Sequence, residues 1–226
     1  MSKHIITISR QYGSGGRFIG KLLADKLGIP LYDNELITMA AKKSGYSEAI
    51  FENVEKTATH SLLYSLSMFG STAGVYGLPL SDKVFIIQSE IIKKVASEGP
   101  CVIVGRCADY VLKDEKNIVD VFIHSDIENR VKRAVTYYGL SEEKAKDAIN
   151  KTDKRRASYY NYYTGHRWGD ANNYEISLNS DKVGIEDCVD ILYRYITSID
   201  AEYNLQNCSI KRGTVLFFNI IFKIRA

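Results

Sequence analysis

Apolar residues along the chain fall into short β-branched runs that alternate with stretches of helical spacing. Residues 4–9, His-Ile-Ile-Thr-Ile-Ser, read as a buried strand, closed by the polar, glycine-rich run Arg10-Gln11-Tyr12-Gly13-Ser14-Gly15-Gly16-Arg17. Phe18, Ile19, Leu22, Leu23 and Leu27 then recur on one helical face, and Gly28-Ile29-Pro30 supplies a glycine stop with a proline beyond it. Helical patterns follow over 34–44, 47–57 and 82–98, with the glycine-dotted stretch 70–77 expected to be a mobile connection. Further strands are expected at 101–104 and 119–124, and a last one at 174–178. Asp126 can cap a helix to about 138, Ser141-Glu142-Glu143 opens another, and Ile185, Val189, Leu192, Tyr193 and Ile196 mark a closing helix. Strands alternating with helices predict an α/β fold with a parallel sheet covered on both faces.

Composition narrows this only slightly. The 226 residues are 45% apolar, enough for one sizeable α/β domain, which excludes a fibrous or wholly disordered chain. The net charge of +3 neither demands nor excludes a polyanionic partner. Cysteines 101, 107, 188 and 208 show no Cys-x-x-Cys pair and no histidines at zinc spacing, so neither a metal knuckle nor a disulfide framework is expected. The apolar run at 5–8 is too short for a signal-peptide core, and a cytoplasmic location is expected. Residues 214–224 hold eight apolar residues in eleven, short of a membrane span. An extra strand, or a sticky tail buried in a second copy of the chain, is the expectation there.

The glycine loop carries the first chemical signal. A glycine-rich turn between a buried strand and a helix presents backbone N–H groups at the positive end of a helix dipole, the requirement for holding phosphate. Gly13, Ser14, Gly15, Gly16 and Arg17 are therefore the candidate donor-binding residues. The run departs from the P-loop pattern G-x-x-x-x-G-K-[ST]: counted from the strand end, Arg10 takes the first glycine position and Gly16 the lysine position. Arg17, next along, is the charge available to replace the lysine.

Taken with that loop, Gly28-Ile29-Pro30-Leu31-Tyr32-Asp33, Val104-Gly105-Arg106-Cys107-Ala108-Asp109 and Tyr162-Tyr163-Thr164-Gly165-His166-Arg167-Trp168-Gly169-Asp170 resemble the cytidylate kinase-like family, a divergent branch of the P-loop nucleoside monophosphate kinases. The resemblance implies a three-layer P-loop fold over about 1–200, with a five-stranded parallel sheet, a monophosphate-binding insert near 33–81, a helical lid near 129–168, and a tail at 201–226. It implies ATP as donor, Mg2+ as its ion, and CMP or dCMP as acceptor. By position, Asp33 would face the acceptor, Arg106 would hold its phosphate, and Asp153 with Arg156 would read the cytosine ring and its phosphate. Besides the missing lysine, Val104 stands where cytidylate kinases carry an acidic residue before Gly-Arg.

Residues 129–168 hold ten basic and four acidic side chains, a local +6 in a chain of +3. Such a cluster can neutralise charge on a transferring phosphoryl group, which makes Arg17, Arg130, Arg133 and Arg155 the catalytic candidates, with metal ligands unassigned. The tyrosines at 159, 160, 162 and 163 are expected to pack a hinge or stack one base rather than bind nucleic acid. Two other readings stay open: a nucleotide-binding or regulatory protein without catalysis, and a kinase for a non-nucleotide small molecule.

Overall fold

The computed structural model describes residues 3–57 and 78–211. Five strands, β1 (Ile5–Arg10), β2 (Leu31–Tyr32), β3 (Val102–Val104), β4 (Ile118–His124) and β5 (Ile176–Asn179), form one sheet in the order β2-β3-β1-β4-β5. Every neighbouring pair is parallel, with Ile6 opposite Val102 and Val119.

The two-residue period of the strands sorts their side chains into two cores. Ile6 and Ile8 of β1, Val102 and Val104 of β3, and Val119, Val121 and Ile123 of β4 face α1 (Gly16–Leu27) and α8 (Ile185–Lys211), against Ile19, Leu23, Leu192 and Ile196. Ile5 and Ile103 point the other way, toward α2 (Glu35–Ser44), α3 (Glu48–Thr57) and α4 (Leu80–Glu98), where Leu36, Phe51, Val84 and Ile92 are fully or nearly fully buried. This is the three-layer arrangement that continuous apolar strands require, because neither sheet face can meet water.

A short α5 (Ala108–Val111) follows β3. After β4 come α6 (Ile127–Tyr138) and α7 (Glu142–Thr164), an antiparallel pair closed by Gly139 at φ 66° and packed through Ala134, Ala145 and Ile149. α7 is longer than its opening signal suggests: it continues past Arg155 and Arg156 to Thr164, and its distal tyrosines reach α4. Tyr159 and Tyr160 are buried, Tyr163 stacks on Phe85 with centroids 4.1 Å apart, and the Tyr159 hydroxyl meets Gln88 at 3.2 Å. These rings pack α7 against α4.

α8 runs unbroken through residue 200 to Lys211. The stretches 70–77 and 214–224 lie outside the described residues. Cys101, Cys107 and Cys188 are free and buried, and burial raises all three thiols, so they are inert packing groups. Among the described residues, no helix is long and apolar enough to cross a membrane.

Candidate functional site

β1 lies between β3 and β4, where the chain switches direction across the sheet, and ligands of open α/β sheets bind at the carboxyl ends of strands at such a point. The glycine loop leaves β1 there. Gly13 and Gly15 adopt left-handed conformations, φ 78° and 81°, and a Cβ added at Gly13 would lie 2.8 Å from the Arg130 carbonyl oxygen. Only glycine fits at that approach. The Ser14 hydroxyl is fully buried and donates to the Gln11 carbonyl at 2.9 Å, while Ser180 Oγ donates to the Ser14 carbonyl at 2.6 Å. Gln11 Oε1 accepts the Ser125 N–H at 3.2 Å, tying the loop to the end of β4. α1 then starts at Gly16, so its first-turn N–H groups, which have no acceptor within a helix, crown the loop.

Arg130, Arg133 and Arg156 meet this loop through its carbonyl groups. Arg130, only 6% exposed, donates from Nε to the Tyr12 carbonyl at 2.8 Å and from Nη2 to Asp153 Oδ2. Asp153 Oδ1 accepts the Tyr12 N–H at 2.8 Å, so one ion pair grips both backbone groups of a single loop residue. The Tyr12 ring lies against Tyr138, and the Arg156 guanidinium sits 5.8 Å from its centroid. Arg156 Nη1 donates to the Arg10 carbonyl at 3.0 Å, and Arg133 Nη1 to the Gly13 carbonyl at 3.4 Å and Ser125 Oγ at 3.2 Å. Both oxygens of Asp153, the residue expected to read a base, are thus engaged by the loop and by Arg130.

Beside the loop opens a cavity of about 290 Å³. Arg106, Arg155 and Arg156 line it together, as does Arg10, which carried no expected role. Arg155 Nη2 donates to Thr152 Oγ1 at 3.0 Å. Arg106 sits at φ 62° with Cys107 at φ 53°, two consecutive residues in a region that side chains disfavour, a strain that functional loops often hold. Burial lowers Arg106 to about 10 and Arg156 to about 9, and Arg10 adds like-charge repulsion to each. Arg10 is itself lowered by burial, with Asp33 opposing. The cavity wall is a concentration of costly positive charge, which an anion relieves.

Asp33 is buried at the rim. Its Oδ2 lies 2.6 Å from Arg17 Nε and its Oδ1 3.9 Å from Arg10 Nη2. Arg17, expected at donor phosphates, is thus paired from the first turn of α1 with Asp33, the residue expected to face the acceptor. The one signal that could have found Arg10 is its place in the loop: an arginine in the position of the first P-loop glycine ends a strand that is otherwise apolar.

A buried polar layer lies under the cavity. The Tyr160 hydroxyl donates to Asp109 Oδ2 at 2.6 Å, and the Thr7 hydroxyl to Asp120 Oδ1 at 2.5 Å. Burial raises Asp120 from 3.8 to about 6, with the Thr7 bond opposing and Asp109 and Glu175 adding repulsion. A carboxyl that holds its proton more tightly when folded loses stability as pH rises from its unfolded value through its folded one. Asp120→Asn keeps an oxygen for Thr7 and removes that loss. It is expected to stabilise the protein by about 2 kcal/mol at pH 7.5 and by little below about pH 4, read from urea unfolding at both pH values.

The residues fit the two parts of a magnesium nucleotide unequally. The backbone geometry suits a polyphosphate. For the metal, the P-loop hydroxyl position that normally holds Mg2+ is not a hydroxyl here, Ser14 Oγ is turned back on Gln11, and Asp33 is engaged by Arg17. Among the described residues no group of three His, Cys, Asp or Glu side chains could hold a metal ion.

Comparison with solved structures finds the same fold elsewhere. An uncharacterized protein from Eubacterium ventriosum is 30% identical, with a TM-score of 0.65 over 87% of this chain and 99% of that one. A gluconokinase from Sinorhizobium meliloti (13% identical, TM-score 0.52, 90% and 97% covered) and a shikimate kinase from Bacteroides thetaiotaomicron (16%, 0.50, 87% and 99%) share the fold. None of the curated proteins compared with the chain matches it. The model of the cytidylate kinase-like family matches residues 5–182, which takes in the loop, the arginine cavity and helices α6 and α7. By that match, and with the three-layer P-loop fold in which its glycine loop sits, the chain belongs to the cytidylate kinase-like family.

Proposed function

We propose that the protein transfers the γ-phosphoryl group of ATP to a small phosphorylated acceptor, with CMP or dCMP as the first candidates. The observation that carries this reading is the arginine-lined cavity, whose wall includes Arg10 at the start of the glycine loop. An anionic acceptor held there lies next to the site where a donor polyphosphate would meet the α1 N-terminus, and phosphoryl transfer asks little more of a protein than such positioning and charge neutralisation.

On this reading Gly13, Ser14, Gly15 and Gly16 cradle the donor through their backbone. Arg106 and Arg156 hold the acceptor phosphate, with Arg155 beside them. Arg133, on the Gly13 carbonyl, is the lid cation nearest the transferring group. Arg130 and Asp153 act as positioning residues through Tyr12. Arg17 and Asp33 form a salt bridge between donor loop and acceptor rim that rearranges as the two ligands arrive. Mg2+ enters on the nucleotide phosphates, and no step is assigned to it.

Two observations favour rival readings of the same pocket. Glycine at the P-loop lysine position supports binding without turnover, and the full engagement of Asp153 supports an acceptor with no base to read. Coupled detection of ADP release, with ATP, Mg2+ and a panel of nucleoside monophosphates and sugar phosphates, separates them. Turnover with CMP or dCMP is expected. Binding of ATP with no turnover on any acceptor would leave the binding-only reading, and turnover on sugar phosphates alone would replace the nucleotide.

A further inference from the structure

A second cavity, of about 330 Å³, lies at the other end of the sheet from the glycine loop. Ile29 and Pro30, which lead into β2, and Gly99 and Pro100, which lead toward β3, form its wall with Tyr32 and Glu98. It is framed by the amino ends of two strands and by the carboxyl ends of the helices that precede them, α1 and α4. Each helix brings the negative end of its dipole to this place, and the last carbonyl groups of a helix have no donor within it. Neither end is neutralised nearby. The last turn of α4 holds no basic residue. α1 has Lys26 there, but its Nζ lies 2.5 Å from Asp190 Oδ1 and 4.8 Å from the centre of the Tyr193 ring, so that charge is drawn to α8. Lys94 stands 3.9 Å from Glu98 in an exposed i, i+4 pair, which contributes little.

Donors are as scarce here as cations. The Gly28 and Ile29 N–H groups are spent on the Asp25 and Ala24 carbonyls, at 3.3 and 3.1 Å. Pro30 and Pro100 have no N–H to offer. None of the residues lining the cavity is a lysine, arginine or histidine. The titrating groups at this end register the same negative field. Burial raises the Tyr32 phenol, with Cys101 and Glu98 adding to the rise. Burial also raises the Cys101 thiol to about 12, again with Glu98 adding. A wall of acceptors and apolar surface with no cation of its own is matched by a positive charge on an apolar stem: Glu98 and the helix-end carbonyls take the charge, an aromatic ring such as that of Tyr32 attracts it, and Ile29, Pro30 and Pro100 take the stem.

We infer that this cavity is a binding site for a small organic cation, an ammonium or guanidinium group carried on a short apolar stem. It is separate from the arginine-lined cavity: the two linings share no residue, and their charges are opposite, four arginines in the one and Glu98 as the charged residue of the other. The carboxylate and the helix ends that attract a cation repel an anion, so phosphorylated ligands are rejected here.

The test is calorimetric titration of the full chain with two probes that share one stem, phenethylamine as the cation and 2-phenylethanol as its neutral counterpart. At pH 7.5 the amine is expected to bind about 10-fold more tightly than the alcohol. Glu98→Gln is expected to weaken the amine about 5- to 10-fold and to leave the alcohol unchanged, and Glu98→Lys to remove detectable binding of the amine. The Glu98 side chain is 54% exposed, so both variants are expected to keep the wild-type fold, with the ligand-free Tm as the check. Arg106→Ala, in the other cavity, is expected to change neither affinity. No binding of the amine, equal affinity for amine and alcohol, an undiminished amine affinity in Glu98→Gln, or a loss in Arg106→Ala as large as in Glu98→Gln would overturn the inference, the last by placing the amine in the arginine-lined cavity. No readout depends on turnover, so a protein inactive toward every acceptor would leave this site standing.

Discussion

Asp153→Ala is expected to lower the unfolding free energy by about 3–5 kcal/mol, a fall in Tm on the order of 10 °C for a chain of this size. The magnitude follows from what is left behind. Arg130 is 6% exposed, and without Asp153 its guanidinium keeps only the Tyr12 carbonyl, while the Tyr12 N–H loses its acceptor. An unpaired buried cation costs far more than the pair contributes, so the double variant Asp153→Ala, Arg130→Met is expected to recover much of the loss. Tyr12 begins the turn that carries Gly13 to Gly16, so ATP affinity is expected to fall with stability in the single variant. Differential scanning calorimetry on the two singles and the double checks this. A single variant that melts with the wild type would show that the grip on Tyr12 contributes nothing.

Arg106→Ala is expected to weaken acceptor binding about 10- to 100-fold, the worth of charge-assisted hydrogen bonds to an anion, with the fold intact. Alanine tolerates φ 62° as poorly as arginine does, so backbone strain is unchanged, while the desolvation that lowers Arg106 to about 10 is removed. Isothermal titration with CMP and separately with ATP reads both halves: CMP affinity drops and ATP affinity stays. An unchanged affinity for CMP would remove Arg106 from the acceptor site.

Much of the architecture is legible from the residues alone. β-branched runs at 5–8, 101–104 and 119–123 are continuous because parallel strands are buried on both faces, and the spacing of Phe18 to Leu27 and of Ile185 to Ile196 places α1 and α8 on the sheet. The edges were less legible. β2 is two residues long, with no pattern for periodicity to register, and β5 begins at Ile176, two residues beyond Tyr174. α7 exceeds its signal because its second half is tyrosine-rich and nearly uniform around the helix, so no stripe marks its continuation.

The site divides along the same line. That the loop offers a backbone suited to an anion and that basic residues gather at 129–168 follow from Gly13, Gly15, Gly16 and the composition of that stretch, since backbone geometry and net charge are local properties. Which arginine does what was decided by tertiary structure. Arg130 and Asp153, 23 residues apart, meet as a buried pair on Tyr12, and Arg17 turns to Asp33. Arg10 reaches Arg106 only because β1 and β3 are neighbours and Gly105 has no side chain in the way. Residue order along the chain is enough to specify the strand-loop-helix unit, the two-faced sheet and the presence of charge. The pairing of each charge depended on distances across the sheet, because an ion pair is fixed by three-dimensional proximity and desolvation, and neither is written in the spacing of residues along a chain.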